Sequence, residues 1–314
     1  MAVQLVGLGM SALDILMRGR EMPTWEHGAP LSALAVEGGG PVATALVAAQ
    51  RLGVRTGMIG TFGSDRLGRI KRQTMEEEGI DLSRSVQRAG PDTQVILVCV
   101  NENTGERVFS GVTYSDGASS WAREPLRPEE LDRVYITAAD ILHLDGYHTQ
   151  AGLAAAEWMR AAGKLVMLDG SATHGPISEG MLALVRACDV LICGAGFGPA
   201  VTGENDLWRA GEAMLRLGPR IVVQTEGGDG SYTVTREERF HLPAFSIEVV
   251  DTTGAGDVFH GAYAAALLRG WDPRRSALFS SAVSALKCRS LGGRAGAPRF
   301  DEVMRFLAER GAGW

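Results

Sequence analysis

Lysine and histidine are both scarce in this sequence of 314 residues, and each scarcity removes a class of site. Only three lysines occur, Lys71, Lys164 and Lys287. None of them lies in a GxxxxGK[ST] pattern, so the phosphate loop of P-loop kinases is excluded. The six histidines show neither HxxxH nor HExxH spacing. The sequence therefore gives no support for catalytic zinc.

Cysteine is also rare, and positive charge is not in excess. The four cysteines, Cys99, Cys188, Cys193 and Cys288, form no CxxC pair and lie in apolar runs, which indicates a reducing compartment. The formal net charge is −6, with 31 basic and 37 acidic residues, so we expect no nucleic-acid partner. No basic segment precedes the first apolar stretch, and Asp14 follows early, which argues against a signal peptide or a membrane span. We therefore expect a cytoplasmic protein that does not bind membranes.

A regular alternation of short apolar runs and longer helical stretches begins near residue 130. It predicts a parallel sheet with helices on both faces, because parallel neighbours need crossover connections. The predicted strands are 141–145, 165–169, 190–193 and 221–225, and the predicted helices are 149–162, 177–187, 205–217, 256–269, 273–290 and 299–310. With 45% hydrophobic residues, the chain can bury one sizeable core, and its length alone permits one large α/β domain or two smaller ones.

Two segments in the N-terminal part, 15–37 and 93–118, interrupt this alternation. The second has the pattern of a hairpin, with apolar strands on either side of a turn at 103–105. We expect both segments to form an accessory sheet beside the main domain. Between them, helices are predicted over 41–52, with proline in the first turn and glycine just past the end, and over 65–78.

The segment from Val249 to Gly261 carries the strongest indication of chemistry. It combines a short apolar approach, the tight turn DTTGAGD and an alanine-rich helical run. The first N–H groups of such a helix have no partner within it, and the helix dipole adds positive charge, so the turn predicts a site for a phosphoryl group. Asp257 would lie in the first turn, where the dipole favours the ionised carboxylate that a general base needs. An aspartate that only stabilises the start of the helix fits this position equally well.

DTTGAGD followed by FxGA resembles the C-terminal signature of the ribokinase (PfkB) family of carbohydrate kinases. The resemblance implies a ribokinase-like three-layer α/β/α Rossmann-like sandwich with a small β-sheet lid, in a single domain that spans 1–314. It also implies a kinase that transfers the γ-phosphate of ATP to a sugar hydroxyl with the help of Mg²⁺. In this family the last aspartate of the motif is the base, here Asp257. The anion hole would be formed by Gly254, Ala255 and Gly256.

The resemblance extends to the nucleotide and to a monovalent cation. The turn TEGGDG is similar to the family's TxGxxG turn. It implies ATP contacts from three residues, Thr225, Gly227 and Gly230. A site for K⁺ is implied near Asp251 and Thr253, completed by the loop after Cys288.

Three N-terminal patterns resemble the sugar-binding part of the same family: GLGMSALD, EGGGPVATA with RLG after it, and IGTFGSD. They imply sugar contacts from Asp14, Gly39, Gly40 and Thr44. Thr44 stands where most members have asparagine, which alters one polar contact. Tyr147 and His148 follow a strand end and are further candidates for the substrate pocket, although a loop histidine satisfied by solvent is the simpler interpretation of His148.

The sequence departs from the family pattern in one motif and in one lid segment. The NxxE motif that often supports the magnesium–phosphate complex is missing from 194–203, so Glu226, Asp229 or water would have to support the metal. In detail, GGGPVATA and GGRAGAP most resemble the sulfofructose-kinase-like branch. A sulfonate needs cationic or amide donors, yet 23–37 contains no Lys or Arg. We therefore expect a different small sugar or sugar derivative as the substrate.

Other functions fit parts of the sequence. VGLGMSA matches a dinucleotide-binding GxGxxA, but Pro23 and Pro30 interrupt the expected helix, and no clean second strand ends in an acidic residue about 20 positions on. A nucleoside kinase of the same fold stays open. So does a sugar- or nucleotide-binding regulator without turnover, which the missing NxxE motif favours and the intact Asp257 opposes. Exposed strands of the lid also predict a homodimer that packs lid on lid.

Overall fold

The structure is a computed structural model that describes residues 2–112, 124–173 and 175–312. Its strands are β1 (Leu5–Leu8), β2 (Ala12–Gly19), β3 (Leu31–Gly39), β4 (Thr56–Ile59), β5 (Thr61–Gly63), β6 (Val86–Arg88), β7 (Val95–Asn101), β8 (Arg107–Ser110), β9 (Ile141–Leu144), β10 (Leu165–Asp169), β11 (Val190–Gly194), β12 (Ile221–Thr225), β13 (Ser231–Thr235) and β14 (Arg239–Leu242). Its α-helices are α1 (Pro41–Arg51), α2 (Arg66–Glu76), α3 (Arg133–Ala138), α4 (Thr149–Ala161), α5 (Glu179–Ala187), α6 (Phe197–Thr202), α7 (Leu207–Leu215), α8 (Ala255–Leu267), α9 (Pro273–Lys287) and α10 (Phe300–Glu309).

The main sheet has eight strands in the order β14-β13-β12-β11-β10-β9-β1-β4. The six strands from β12 to β4 are parallel, as the alternation of strands and helices predicts. Strands β13 and β14 are antiparallel and were not predicted. Only 226–230 connects β12 to β13, which is too short for a crossover helix and forces the chain to turn back on itself.

Helices cover both faces of this sheet, which gives three layers. One hydrophobic core lies between one face of the main sheet and the helices α1, α8, α9 and α10. A second core lies between the other face and the helices α3, α4, α5 and α7. Within β1, Leu5 belongs to the first core, whereas Val6 and Leu8 belong to the second. Because these strands are buried on both faces, they carry apolar side chains at successive positions, which explains the continuous apolar runs in the sequence.

Helix α8 is buried around most of its circumference and packs between α1 and α9. Gly261 makes this packing possible, because a Cβ atom there would lie 2.1 Å from the carbonyl oxygen of Ala45. The alanine-rich sequence after Asp257 therefore brings the first turn of α8 close to α1. This packing fixes the position of the DTTGAGD turn near the carboxyl ends of the main-sheet strands.

A separate small sheet has the order β3-β2-β7-β8, and it contains strands from both segments that interrupt the alternation. It begins earlier than predicted, at Ala12, and residues 113–118 of the second segment lie outside the described residues. One face, which we call the inner face, packs Leu16, Val98 and Val100 against the main domain. Among the described residues, no helix has the length and apolar character needed to cross a membrane.

Candidate functional site

A cleft of about 680 Å³ lies between the inner face of the small sheet and the carboxyl ends of the main strands. Asp169, Gly194 and Thr225 line it from the ends of β10, β11 and β12. Asp14 and Phe109 line it from the small sheet. Ligands of open α/β sheets bind at such strand ends, so this cleft is the candidate active site.

The DTTGAGD turn forms one end of the cleft. Gly254 has φ +73°, and a Cβ atom there would lie 2.8 Å from the carbonyl oxygen of Gly293, so only glycine fits. The amide N–H groups of Gly256 and Asp257 have no acceptor among the described residues, and both residues line the cleft together with Gly254 and Ala255. The start of α8 thus presents free donors where an anion can approach.

Asp257 has an environment that the helix dipole alone does not describe. Burial, together with the nearby Asp169, raises the pKa of Asp257 to about 6 against the opposing charges of His260 and Arg107. Desolvation and a second carboxylate therefore act against the helix dipole, which favours the ionised form. A carboxylate with this pKa is mainly ionised at pH 7 and is matched to proton transfer near that pH.

Two residues that the sequence analysis missed, His260 and Asp169, hold the first turn of α8. His260 Nδ1 lies 2.7 Å from the carbonyl oxygen of Gly256, and its Nε2 lies 3.2 Å from the carbonyl oxygen of Ile192. Asp169 Oδ1 is 3.6 Å from the same Nε2. The aspartate at the end of the predicted strand 165–169 was the available signal, since polar residues at parallel strand ends meet in the ligand cleft.

Asp14 lines the cleft from β2 and packs directly against Gly39. A Cβ atom on Gly39 would lie 2.1 Å from Asp14 Oδ2, and one on Gly40, which has φ +91°, would lie 2.6 Å from the carbonyl oxygen of Met10. The two glycines therefore make room for the carboxylate and for the turn into α1. Burial raises the pKa of Asp14 to about 7, and Arg294 opposes the rise.

Arg294 supports this region from behind and was not singled out from the sequence. Its guanidinium donates hydrogen bonds to the carbonyl oxygen of Gly39, to Thr44 Oγ1 at 3.4 Å and to Thr74 Oγ1 at 3.1 Å. Burial lowers the pKa of Arg294 to about 10, so it stays charged. Thr44 lines the cleft as predicted for a sugar contact, but its hydroxyl also accepts this hydrogen bond. Thr44 stands where most members of the family named above have asparagine, and its hydroxyl therefore has a hydrogen-bond partner within the protein.

The structure separates the neighbours Tyr147 and His148. Tyr147 lines the cleft, and its N–H donates to Asp145 Oδ1 at 3.1 Å. His148 does not line the cleft; it is buried elsewhere, and its Nδ1 accepts a hydrogen bond from the N–H of Leu126 at 3.1 Å. The prediction of His148 as a pocket residue is corrected, because the chain turns between these two positions and α4 begins at the next residue.

The turn TEGGDG, the candidate for nucleotide binding, lies at the end of β12. Thr225, Gly227 and Gly230 all line the cleft, and a Cβ atom on Gly230 would lie 2.0 Å from the carbonyl oxygen of Leu242. The adjacent wall is apolar, with side chains of Phe245, Ile247, Val249 and Ala285. A flat heterocyclic base can pack against such a wall.

The metal-supporting residues suggested by the sequence are not in the cleft. Glu226 and Asp229 do not line it, and Asp229 Oδ2 accepts a hydrogen bond from the hydroxyl of Tyr232 at 2.8 Å. Within the part of the chain that the structure describes, no group of three or more His, Cys, Asp or Glu side chains is arranged to hold a metal ion. Asp169 is the carboxylate that lies beside Asp257 in the cleft.

Arg107 joins the small sheet to the DTTGAGD turn and was missed by the sequence analysis. It lies on β8, lines the cleft, and donates from Nη1 to Thr252 Oγ1 at 2.6 Å. No carboxylate of the described residues forms an ion pair with its guanidinium. Alternation along β8 was the available signal, because Arg107 and Phe109 share the inner face in register with Val100 and Val98.

Asp251 and Thr253, the residues suggested for a monovalent cation, lie on the turn itself. Thr253 lines the cleft, whereas Asp251 is fully buried beneath it. The carboxylate of Asp251 accepts hydrogen bonds from the N–H and the hydroxyl of Thr253, at 2.8 and 2.7 Å. This aspartate therefore shapes the turn from inside.

Several known kinases are similar to this chain in sequence or in fold. The chain is 30% identical over 310 residues to the ATP-dependent ribose-1-phosphate kinase of Halopiger xanaduensis, covering 98% of this chain and 99% of that protein. It is 25% identical over 309 residues to a nucleoside kinase of Methanothermobacter thermautotrophicus, covering 98% and 96%. The crystal structure of Arabidopsis thaliana ribokinase, complexed with ribose and ATP, has the same ribokinase-like fold with a TM-score of 0.81, 22% identity and coverage of 98% and 99%.

A family model supplies the assignment. The model described as pfkB family carbohydrate kinase matches residues 26–299, which contain every one of the cleft-lining positions discussed above except Asp14. The matched span includes the DTTGAGD turn, the glycines before α1 and the turn after β12. The chain belongs to the pfkB family of carbohydrate kinases.

Proposed function

We propose that this protein transfers the γ-phosphate of ATP to a hydroxyl of a small sugar or sugar derivative, with Asp257 as the general base. The observation that carries the proposal is the cleft itself, which places Asp257 beside the free amides of the DTTGAGD turn and is also lined by Asp14. A base, an anion site and a hydrogen-bond acceptor for sugar hydroxyls are the parts that this reaction needs.

The reaction follows from these positions. The sugar hydroxyl gives its proton to the Asp257 carboxylate, and its oxygen forms a bond to the γ-phosphorus. The bond from that phosphorus to the bridging oxygen breaks, and ADP leaves with the electron pair. The turn at Gly254, Ala255 and Gly256 would hold the oxygens of the phosphoryl group, with the free N–H groups of Gly256 and Asp257 as donors that neutralise its charge as it moves.

ATP would lie along the nucleotide turn, with its phosphates at Thr225, Gly227 and Gly230 and its base against the apolar wall. Mg²⁺ bound to its phosphate oxygens would supply further charge neutralisation. One side chain of this chain fits that ion, the carboxylate of Asp169, since Mg²⁺ prefers oxygen ligands and keeps several waters when few are offered. The missing NxxE motif is consistent with such sparse support.

Arg107 would supply a positive charge to the transferring phosphoryl group. Its guanidinium lies at Thr252, on the turn that would hold the phosphoryl group, and it lowers the pKa of Asp257 through its charge. A planar donor in this position matches the oxygens of a transferring phosphoryl group. We therefore expect Arg107 to contact the phosphoryl group and not the sugar. Its loss should slow the phosphorylation of neutral and anionic sugars to the same extent.

The small sheet would act as the lid of a single domain. Its inner face already contacts the turn through Arg107, so closure over bound sugar would exclude water and limit hydrolysis of ATP. We propose a cytoplasmic location, because ATP is the phosphate donor and the four cysteines are buried and unpaired, as expected in a reducing compartment.

The test is ADP release from ATP and Mg²⁺ across a panel of acceptors. The panel contains ribose, ribose 1-phosphate, fructose derivatives, sugar acids, adenosine and an aminoimidazole riboside. We expect saturable turnover with one sugar class. Turnover confined to nucleosides would make the protein a nucleoside kinase, and saturable binding without any turnover would make it a regulator.

The outer face of the small sheet supports a homodimer that packs lid on lid. Leu34, Val36 and Val108 on this face are 67%, 54% and 57% exposed, which is unusual for a contiguous apolar surface. Adjacent on the same face, Ile15 and Met17 pair with Val36 and Leu34. A second copy of the face would bury these side chains.

Sedimentation of a Leu34→Glu variant tests the dimer. We expect the wild-type protein to sediment as a dimer and this variant as a monomer, because a buried carboxylate without a partner is costly. Val134→Glu is the matched control, since Val134 is 78% exposed on α3, outside the sheet. A wild-type monomer, or a Leu34→Glu dimer, would refute this assembly.

A further inference from the structure

Lys287 occupies an unusual position directly below the DTTGAGD turn. It is the last residue of α9 and one of only three lysines in the chain. Its side chain is completely buried, and Nζ donates a hydrogen bond to the carbonyl oxygen of Asp251 at 2.8 Å. A buried ammonium is costly unless nearby charges and hydrogen bonds compensate it, so its position requires an explanation.

Both carboxylate oxygens of Asp251, the charged group expected to bind a monovalent cation, already accept hydrogen bonds. Asp251 Oδ1 accepts from the N–H and the hydroxyl of Thr253, and its Oδ2 accepts from the N–H of Gly292 at 2.8 Å. The carbonyl oxygen of Asp251 accepts from Lys287. In the loop after α9, the carbonyl oxygen of Cys288 accepts from the N–H groups of Val250 and Asp251. The carboxylate of Asp251 does not fit a bound K⁺ ion, because the protein's own donors satisfy both of its oxygens.

The charge of Lys287 matches what a monovalent cation would supply. Its neighbours include the carboxylates of Asp251 and Asp257, and the ammonium in turn favours the ionised forms of Asp251, Asp257 and Glu37. On the same helix, the hydroxyl of Ser284 donates to the carbonyl oxygen of Ala255 at 2.8 Å. Helix α9 therefore holds the turn from below with one fixed positive charge and one hydroxyl.

We propose that the Lys287 ammonium is a built-in cation that positions the DTTGAGD turn, so that this protein needs no monovalent metal ion. The proposal rests on the proposed kinase function for its rate measurements only. Lys287 acts as a positioning residue, because it holds Asp251 and, through it, the amides at the start of α8. A tethered ammonium has the same charge as K⁺ and is not lost when the solution composition changes.

The first experiment measures the wild-type protein in K⁺, Na⁺ and N-methylglucamine at one ionic strength. We expect the same kcat and the same thermal unfolding midpoint in all three. Crystals soaked in thallous ion, a heavy substitute for K⁺, should show no peak within coordination distance of Asp251. Activation by K⁺ or a thallous peak at Asp251 would overturn the proposal. The unfolding and crystal measurements need no turnover, so they decide the question even if the kinase proposal fails.

A pair of variants sharpens the test. Lys287→Ser leaves a cavity that an ion can enter, whereas Lys287→Met fills the space without a charge. We expect both to lose at least ~10-fold in kcat without K⁺, as for loss of one preorganised electrostatic group, and K⁺ to restore the rate of Lys287→Ser alone. Lys164→Ser, at a partly exposed lysine paired with Asp140, should behave as wild type. Equal kcat for wild type and both variants, or rescue of Lys287→Met, would contradict a positioning role. If neither variant folds, the wild-type measurements still decide.

Discussion

The two walls of the cleft are built in different ways. The wall at the start of α8 is held by buried polar contacts from Lys287, Gly292 and His260. The facing wall, the inner face of the small sheet, is largely apolar and approaches the turn through the hydrogen bond from Arg107 to Thr252. The phosphate end of the site is therefore fixed by the fold, whereas the acceptor end depends on how the small sheet lies over it.

This difference separates chemistry from recognition. Donors held in place before the substrate arrives need no reorganisation during the reaction, which is where electrostatic catalysis is strongest. A sheet with few polar ties can adjust to different acceptors and close over them. We expect changes to the fixed wall to lower kcat, and changes to the small sheet to act mainly on the sugar, with Arg107 as the exception that joins the two.

The largest expected effect is that of Asp257→Asn. The variant should lower kcat by ~10²–10⁴, as for loss of a general base, while ATP affinity stays near wild type. Steady-state kinetics and calorimetric ATP binding measure the two quantities. Asp206→Asn is the control, since Asp206 caps α7 outside the cleft. Near-normal turnover in Asp257→Asn would remove the mechanism and leave Asp257 as a residue that stabilises its helix.

The same assignment predicts the pH dependence of the wild-type enzyme. Because burial raises the pKa of Asp257 to about 6, the carboxylate is ionised above that pH and becomes protonated as the pH falls through it. The value of kcat should therefore fall below about pH 6, by roughly tenfold per pH unit. A flat profile between pH 5 and pH 7 would argue against Asp257 as the base.

Arg107→Met should have the next largest effect. Loss of the Arg107 guanidinium at the turn should lower kcat by roughly 10²–10³, the range for removal of one donor to a developing charge. The comparison variant is Arg18→Met, because Arg18 is in register with Val100 on the same sheet but does not line the cleft. If Arg107→Met affected only the KM of anionic sugars, Arg107 would belong to the acceptor wall instead.

Asp14→Asn should have the smallest effect of the three and should act on the sugar. Loss of hydrogen bonds to a charged acceptor, about 1.5–3 kcal/mol, should raise the KM for sugar by ~10–10². The kcat and the KM for ATP should change little, since Asp14 lies on the small sheet and is part of neither the DTTGAGD turn nor the turn after β12. An unchanged KM for sugar would mean that Asp14 serves only to pack against Gly39 and Arg294.

Features that depend on neighbouring residues could be predicted more accurately than features that depend on tertiary contacts. The helix predicted over 41–52 and the strands from 141 to 225 appear within one or two residues of their predicted ends, because proline, glycine and apolar periodicity act through neighbouring residues. The antiparallel strands β13 and β14 were missed, since short strands at a sheet edge carry little periodicity. His148 was misplaced because sequence proximity to a strand end does not tell which way the next side chain points.

The site shows the same division. The glycines at 39, 40 and 254 and the aspartate at 257 belong to contiguous motifs, so their position in the cleft could be anticipated. Arg107 and Lys287 belong to none of those motifs, and each reaches the turn from a distant part of the chain. No spacing rule connects such residues before the chain is folded.

The sequence by itself determined the family, the alternation of strands and helices between 141 and 225, and the turn whose backbone amides can hold an anion, because each depends on short segments with strict steric needs. Only the tertiary structure decided the pKa of Asp257, the partners of Arg107 and Arg294, and the ammonium below Asp251. Burial and charge proximity exist only between surfaces that folding brings together, and they decide how the anticipated residues work.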